Sequence, residues 1–258
     1  MKNKLKEKMA NDEKTLGSFH VLGSESVVEI LGYAGFDYVL LDTEHGPFDV
    51  EKAQSLIRSA KLSGTTPLVR VKDSSRSPIL EMLDAGAMGI VIPHVTTVEQ
   101  VEEIIDYGKY HPLGDRGFGV TVANEYLTAE SVASGIDNLF EVSNRETLLI
   151  PQCETKGCLE NIEEIVALDG VDGIFVGPYD LSISLGVPGE TSGPVMKDAI
   201  ARVLKACKDA GKFSFIYSST TQDAKAKLNQ GFDSVTYNFD TLLLLDAATK
   251  DVKIIQDH

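Results

Sequence analysis

Eight short apolar runs, at 17–22, 37–41, 67–71, 89–93, 148–151, 173–176, 212–217 and 232–237, are separated by segments with helical spacing. Runs this short and this apolar read as strands buried on both faces, as in a parallel sheet. The segments between them show helix faces: Val27, Val28, Ile30 and Leu31 within 25–34, Ala53, Leu56, Ile57 and Ala60 within 50–62, and Leu159, Ile162, Ile165 and Val166 within 158–168. Further helices are expected at 77–85, 97–107, 194–210 and 221–229, with a last one beginning near Asp240. Eight strands alternating with helices predict a single (β/α)8 TIM barrel over residues 1–258. An open doubly wound sheet is the alternative, but no Gly-rich dinucleotide fingerprint or phosphate loop favours it. Residues 4–11 read as a polar helical lead-in. Segment 109–145 is too long for an ordinary connection, and either covers a site or is a plain insertion.

The chain is 43% hydrophobic and carries a net charge of −15, from 24 basic and 39 acidic residues. Such a surface repels nucleic acid and anionic membrane, so neither is an expected partner. An anionic substrate needs a local cation against that field, and only six of the basic residues are Arg. Cys153, Cys158 and Cys207 have no metal-ligand spacing and read as reduced thiols. The first residues lack the apolar core of a signal peptide, and no run is long enough to span a bilayer. A cytoplasmic protein is expected.

The strands at 148–151 and 173–176, joined by one helix, form a β-α-β unit whose strand ends share a rim. Gln152 and Glu154 leave the first strand; Gly177, Pro178, Tyr179 and Asp180 leave the second. Two carboxylates without Cys or His beside them suit a hard divalent cation. Equally, Glu154 reads as a solvated loop residue and Asp180 as a helix cap. Asp42, Glu44 and His45 leave the second strand together, and a His there is well placed as a general base or is a surface loop residue. Arg70, among the apolar neighbours of PLVRV, must find an anion, either a protein carboxylate or a ligand. Asp84 stands where a helix gives way to the fourth strand, to pair with a His or to cap the helix end's neighbours. Schiff-base chemistry would need a strand Lys; Lys72 is the one candidate, and it reads as solvent-directed. His94 and His111 each stand alone, and read as loop residues more readily than as ligands.

The order D-x-E-H-G-P after the second strand, P-x-V-R-V, L-x-x-L-D-x-G before I-V-I-P, P-Q-x-E-T and V-D-G-I-F-V-G-P-x-D-L-S resembles the HpcH/HpaI-type class II pyruvate aldolases. The resemblance extends from about Gly17 to Asp246. It implies a barrel of the phosphoenolpyruvate/pyruvate-binding type and an aldehyde-lyase acting on 4-hydroxy-2-oxo acids or 2-dehydro-3-deoxy sugar acids. The products are pyruvate and an aldehyde, with Mg²⁺, Mn²⁺ or Co²⁺ as cofactor. By the same resemblance Glu154 and Asp180 are metal ligands, His45 is the base, Asp84 raises its basicity, and Arg70 stabilises the enolate. Gln152, with the backbone of Gly177, Pro178, Tyr179 and Asp180, forms the pyruvate site, and Asp42 supports it from behind.

Three features depart from the pattern: the bulky Tyr179, His111 where a Pro is usual, and Tyr217-Ser218-Ser219 at the end of the seventh strand. All three bear on the aldehyde rather than on pyruvate. Competing readings are a citrate-lyase-type lyase of CoA thioesters and a non-catalytic barrel that binds a 2-oxo acid. The first needs a basic nucleotide surface, which an acidic composition does not suggest. Leu242, Leu243, Leu244 and Leu245 point through a full helical turn, so one barrel face cannot bury them all. With the resemblance, this predicts a homo-hexamer, a trimer of dimers, in which the helix at about 240–256 packs on a neighbouring subunit.

Overall fold

The structure, a computed structural model, describes residues 2–256. Strands β1 (Thr15–His20), β2 (Tyr38–Asp42), β3 (Thr66–Arg70), β4 (Gly89–Ile92), β5 (Leu148–Cys153), β6 (Gly173–Val176), β7 (Phe213–Ser218) and β8 (Ser234–Phe239) pair in parallel, each with the next. β8 closes on β1, giving the expected (β/α)8 TIM barrel. The chain returns through α1 (Lys4–Ala10), α2 (Glu25–Tyr33), α3 (Val50–Leu62), α4 (Arg76–Asp84), α5 (Val98–Gly108), α6 (Glu130–Ala133) and α7 (Ile136–Glu146). α8 (Lys156–Glu160), α9 (Ile162–Ala167), α10 (Pro178–Ser184), α11 (Pro194–Asp209), α12 (Thr221–Gln230) and α13 (Asp240–Gln256) follow. Among the described residues no helix is long and apolar enough to cross a membrane.

Strand side chains alternate between two cores, which is why the strands read as unbroken apolar runs. Phe19, Tyr38, Leu40, Leu68, Val91, Ile150, Phe175 and Phe215 fill the barrel. Val39, Leu41, Val69, Ile90, Leu149 and Ile216 pack outward under the helices. The lead-in is more than polar: Leu5 and Met9 of α1 join the interior core. Asn3 caps α1 and donates to the carbonyls of Met88 and Glu146, so α1 stops up the N-terminal mouth.

The helix expected at 158–168 is two helices. They break at Asn161, whose amide donates to the carbonyl of Gly157 and competes with the helical ladder. Segment 109–145 links α5 to the start of β5 and therefore belongs to the N-terminal side. It is held there by Tyr110 stacked on Phe140, with centroids 4.4 Å apart, and by Arg116 donating to Asp84 at 2.7 Å.

At the root of α13, buried Asp240 accepts from the backbone N–H groups of Val21 and Leu22 and lies 2.7 Å from His20 Nδ1, tying β1 to β8. Burial pushes the Asp240 carboxyl up, but His20 and these donors outweigh it and hold the carboxyl below its usual range. Beyond Asp240 no α13 residue is buried. Leu243 packs on the core, while Leu242, Leu244, Leu245, Val252, Ile254 and Ile255 are exposed.

Candidate active site

β2 and β3 pair with Asp42 opposite Arg70, and this register builds the centre of the C-terminal rim. Arg70 donates from Nε to Asp42 Oδ1 at 3.0 Å and from Nη2 to Oδ2 at 2.6 Å, a bidentate fork. Its Nη1 lies 3.2 Å from Glu44 Oε2, and its guanidinium sits 4.8 Å above the Phe19 ring. Burial works against the guanidinium charge, but Asp42 and Glu44 outweigh it and raise the Arg70 pKa. The anion Arg70 required is thus a protein carboxylate, yet Arg70 still faces a cavity with donors to spare.

Asp42 Oδ1 also accepts from the backbone N–H groups of Glu44, at 3.1 Å, and His45, at 3.3 Å. One carboxylate therefore sets both the guanidinium and the loop that carries His45. The His45 side chain is 70% exposed, so it can meet a substrate that enters from solvent.

Across the rim, β5 delivers Gln152 and Glu154, both buried. Glu154 Oε1 accepts from the His94 backbone N–H at 2.7 Å, and Oε2 accepts from the Gln152 amide. β6 comes close because residue 177 has no side chain. A Cβ there would stand 3.0 Å from Gln152 Nε2 and 3.1 Å from Glu154 Oε2, tighter than ordinary contact. Pro178 then starts α10, where its missing N–H costs nothing. Asp180 follows in the first turn and is exposed.

Arg70, His45, Gln152, Gly177, Pro178, Tyr179 and Asp180 line one cavity of about 200 Å³. Its other walls are Phe19, Phe175, Tyr217 and Phe239. Tyr217 and Tyr179 face each other with ring centroids 6.1 Å apart. Burial first, with Tyr179 and Tyr237 nearby, pushes the Tyr217 phenol up to about 12, so it stays neutral. No lysine lines this cavity, and Lys72 is exposed.

The donor set suits a hard cation. Ligand atoms of Glu44, His94 and Glu154 lie within 4.8 Å of one another. Among the described residues Glu44 Oε2 and Gln152 Oε1 are buried without a hydrogen-bond partner; Arg70 Nη1 approaches the former off the bonding direction. Burial raises the Glu44 carboxyl pKa; Arg70 draws it down, and Glu154 adds repulsion. Converging carboxylates with unused oxygen lone pairs are what a divalent ion relieves.

Asp180 lines the cavity from the exposed first turn of α10, while Glu44 and His94 are the residues grouped with Glu154. One expectation needs correction. Asp84 ends α4, so it lies at the N-terminal rim and bonds to Arg116. His45 follows β2 at the opposite rim, and within one chain Asp84 does not serve it. Glu44 has no assigned role in the sequence, His94 reads there as a loop residue more readily than as a ligand, and Tyr217 stands out only as a departure that bears on the aldehyde. His94 alone shows a backbone sign of its setting, a φ of 55°, which only the folded loop reveals.

Residues 16–247 match the family described as HpcH/HpaI aldolase/citrate lyase. A hydroxypyruvate/pyruvate aldolase of Roseobacter denitrificans is 36% identical over 95% of this chain and 93% of its own. A 2-keto-3-deoxy-L-rhamnonate aldolase of Escherichia coli is 30% identical over 95% of this chain and 90% of its own. The crystal structure of an HpcH/HpaI aldolase from Desulfitobacterium hafniense superposes with a TM-score of 0.91 at 28% identity, covering 98% of this chain and 97% of that one. A citrate lyase beta subunit of M. tuberculosis, with a TM-score of 0.57 at 16% identity, shares the fold alone. Matched along nearly its whole length, the chain belongs to the HpcH/HpaI aldolase/citrate lyase family.

Proposed function

We propose that this protein is a divalent-metal-dependent aldolase that reversibly cleaves a 4-hydroxy-2-oxo acid to pyruvate and an aldehyde. The observation that carries the reading is the single cavity in which Arg70 and His45 face the Gln152–Asp180 wall, beside the Glu154 cluster. Glu154 and Asp180 would hold Mg²⁺, Mn²⁺ or Co²⁺, with Gln152 Oε1 and Glu44 as further oxygen donors within the cluster. The ion would polarise the 2-oxo group as a Lewis acid. Arg70, held by Asp42, offers its remaining N–H groups to the oxygen on which enolate charge grows. His45 takes the proton of the C4 hydroxyl as the C3–C4 bond breaks, and returns it in the condensation direction. The backbone from Gly177 to Asp180 orients the pyruvate end. The aromatic walls exclude water around the C3 carbanion equivalent. Three free buried thiols suit a reducing compartment such as the cytoplasm.

A panel of aldehydes offered with pyruvate and Mn²⁺, with aldol products read by mass, tests the activity. New carbon–carbon products are expected. Pyruvate and metal binding without any product would instead favour the non-catalytic barrel.

The bare apolar side of α13 supports an obligate oligomer, a hexamer built as a trimer of dimers. A carboxylate at position 84 could then reach a His45 only across a subunit contact. Light scattering at low micromolar concentration should find the oligomer. A stable, active species of 28.0 kDa would remove it.

A further inference from the structure

Away from the reaction cavity, α11 and α12 part toward the N-terminal rim and leave a cleft of about 1050 Å³. Six lysines line it: Lys14, Lys197, Lys205, Lys208, Lys212 and Lys227, against the two carboxylates of Asp12 and Asp233. In a chain of net charge −15 this local reversal of sign needs a cause.

Part of the cause is structural. Lys208 and Lys227 stand in the last turns of α11 and α12, where a cation answers the helix dipole. Lys205 pairs with Asp209, Lys14 lies 3.6 Å from Asp233, and Lys212 donates to the carbonyls of Leu168 and Val171. Lys197 has no such account. It sits near the N-terminal end of α11, where the dipole disfavours a cation. Among the described residues neither Lys197, Lys208 nor Lys227 has a carboxylate within 4.0 Å.

The spacing narrows the ligand. Lys197 and Lys208 are eleven residues apart on one helix, roughly 16 Å along its axis. That row is longer than a single phosphate. The floor beside it is apolar, formed by Met9, Ile200, Leu204 and Phe213. A nucleic acid strand long enough to leave the cleft would meet the acidic remainder of the surface.

We propose that this cleft binds a nucleoside polyphosphate, with its phosphates along Lys197, Lys208 and Lys227 and its base on Leu204 and Phe213. The assignment stands apart from the aldolase reading, because the cleft and the reaction cavity share no residue.

Titration calorimetry of the full chain with ATP, ADP and inorganic triphosphate, without divalent metal, tests it. Saturable binding of ATP is expected, at least fivefold tighter than that of inorganic triphosphate and weakening as salt rises. Lys197→Glu combined with Lys208→Glu should weaken ATP binding tenfold or more; both side chains are exposed, so the fold should survive, as circular dichroism would check. No saturable ATP binding at millimolar concentration would overturn the proposal. So would ATP binding unchanged by the double reversal, or triphosphate binding as tightly as ATP.

Discussion

EDTA should abolish cleavage of 4-hydroxy-2-oxo acids by this protein, and Mn²⁺, Co²⁺ or Mg²⁺ should restore it. Glu44 and Glu154 converge within 4.8 Å of each other and of the His94 ring, and among the described residues Glu44 Oε2 and Gln152 Oε1 are buried without a hydrogen-bond partner. Without a cation this arrangement is electrostatically unfavourable and offers the 2-oxo group little beyond Arg70. Glu154→Gln separates charge from shape. The amide oxygen can still accept from the His94 N–H, as the carboxylate does at 2.7 Å. The negative charge that binds the cation is gone. Activity should fall by about 10³-fold or more, since electrostatic stabilisation of the developing charge is the largest contribution at such a site. Bound metal, measured by elemental analysis, should fall with it, while circular dichroism stays that of the wild type. A metal-replete Glu154→Gln protein with wild-type turnover would show that the ion sits elsewhere.

The second large effect separates Arg70 from His45. Arg70→Ala should lose both aldol cleavage and exchange of the pyruvate methyl protons with solvent, each by about 10²–10³-fold, the range for one lost oxyanion donor. It also strands Asp42, which is fully buried, at a cost of about 3–5 kcal/mol. Arg70→Lys is therefore the fairer variant: it keeps the charge but cannot reproduce the fork onto Asp42. Its exchange rate should lie between the wild type and Arg70→Ala. His45→Ala should spare far more of the exchange than of the cleavage, because its proton belongs to the C4 hydroxyl. Equal loss of exchange in His45→Ala and Arg70→Ala would show that the roles are not divided this way.

The barrel was legible because a strand buried on both faces needs apolar residues at every position, and eight such runs recur. Their ends were less so. β2 continues to Asp42 because Asp42 pairs with Arg70 across the sheet, a polar pair that an apolar run does not predict. α1 looked polar because only Leu5 and Met9 of it are buried. Arg70 stood out as a guanidinium among apolar neighbours, but its partner lies 28 residues away and is fixed by strand register. Glu44 and His94 were illegible as a pair, since they leave different strands and meet only when the rim closes. Asp84 was placed with His45 by resemblance; the direction of α4 puts it at the other rim. The basic cleft was hidden for a similar reason, its lysines being spread from Lys14 to Lys227 in an acidic chain.

Deuterium exchange into the pyruvate methyl group, followed by NMR with and without divalent metal, tests the metal-assisted enolisation most directly. Exchange is expected with Mn²⁺ or Mg²⁺, and none above background after EDTA. Exchange that survives EDTA, accompanied by borohydride fixing pyruvate to a lysine, would contradict it.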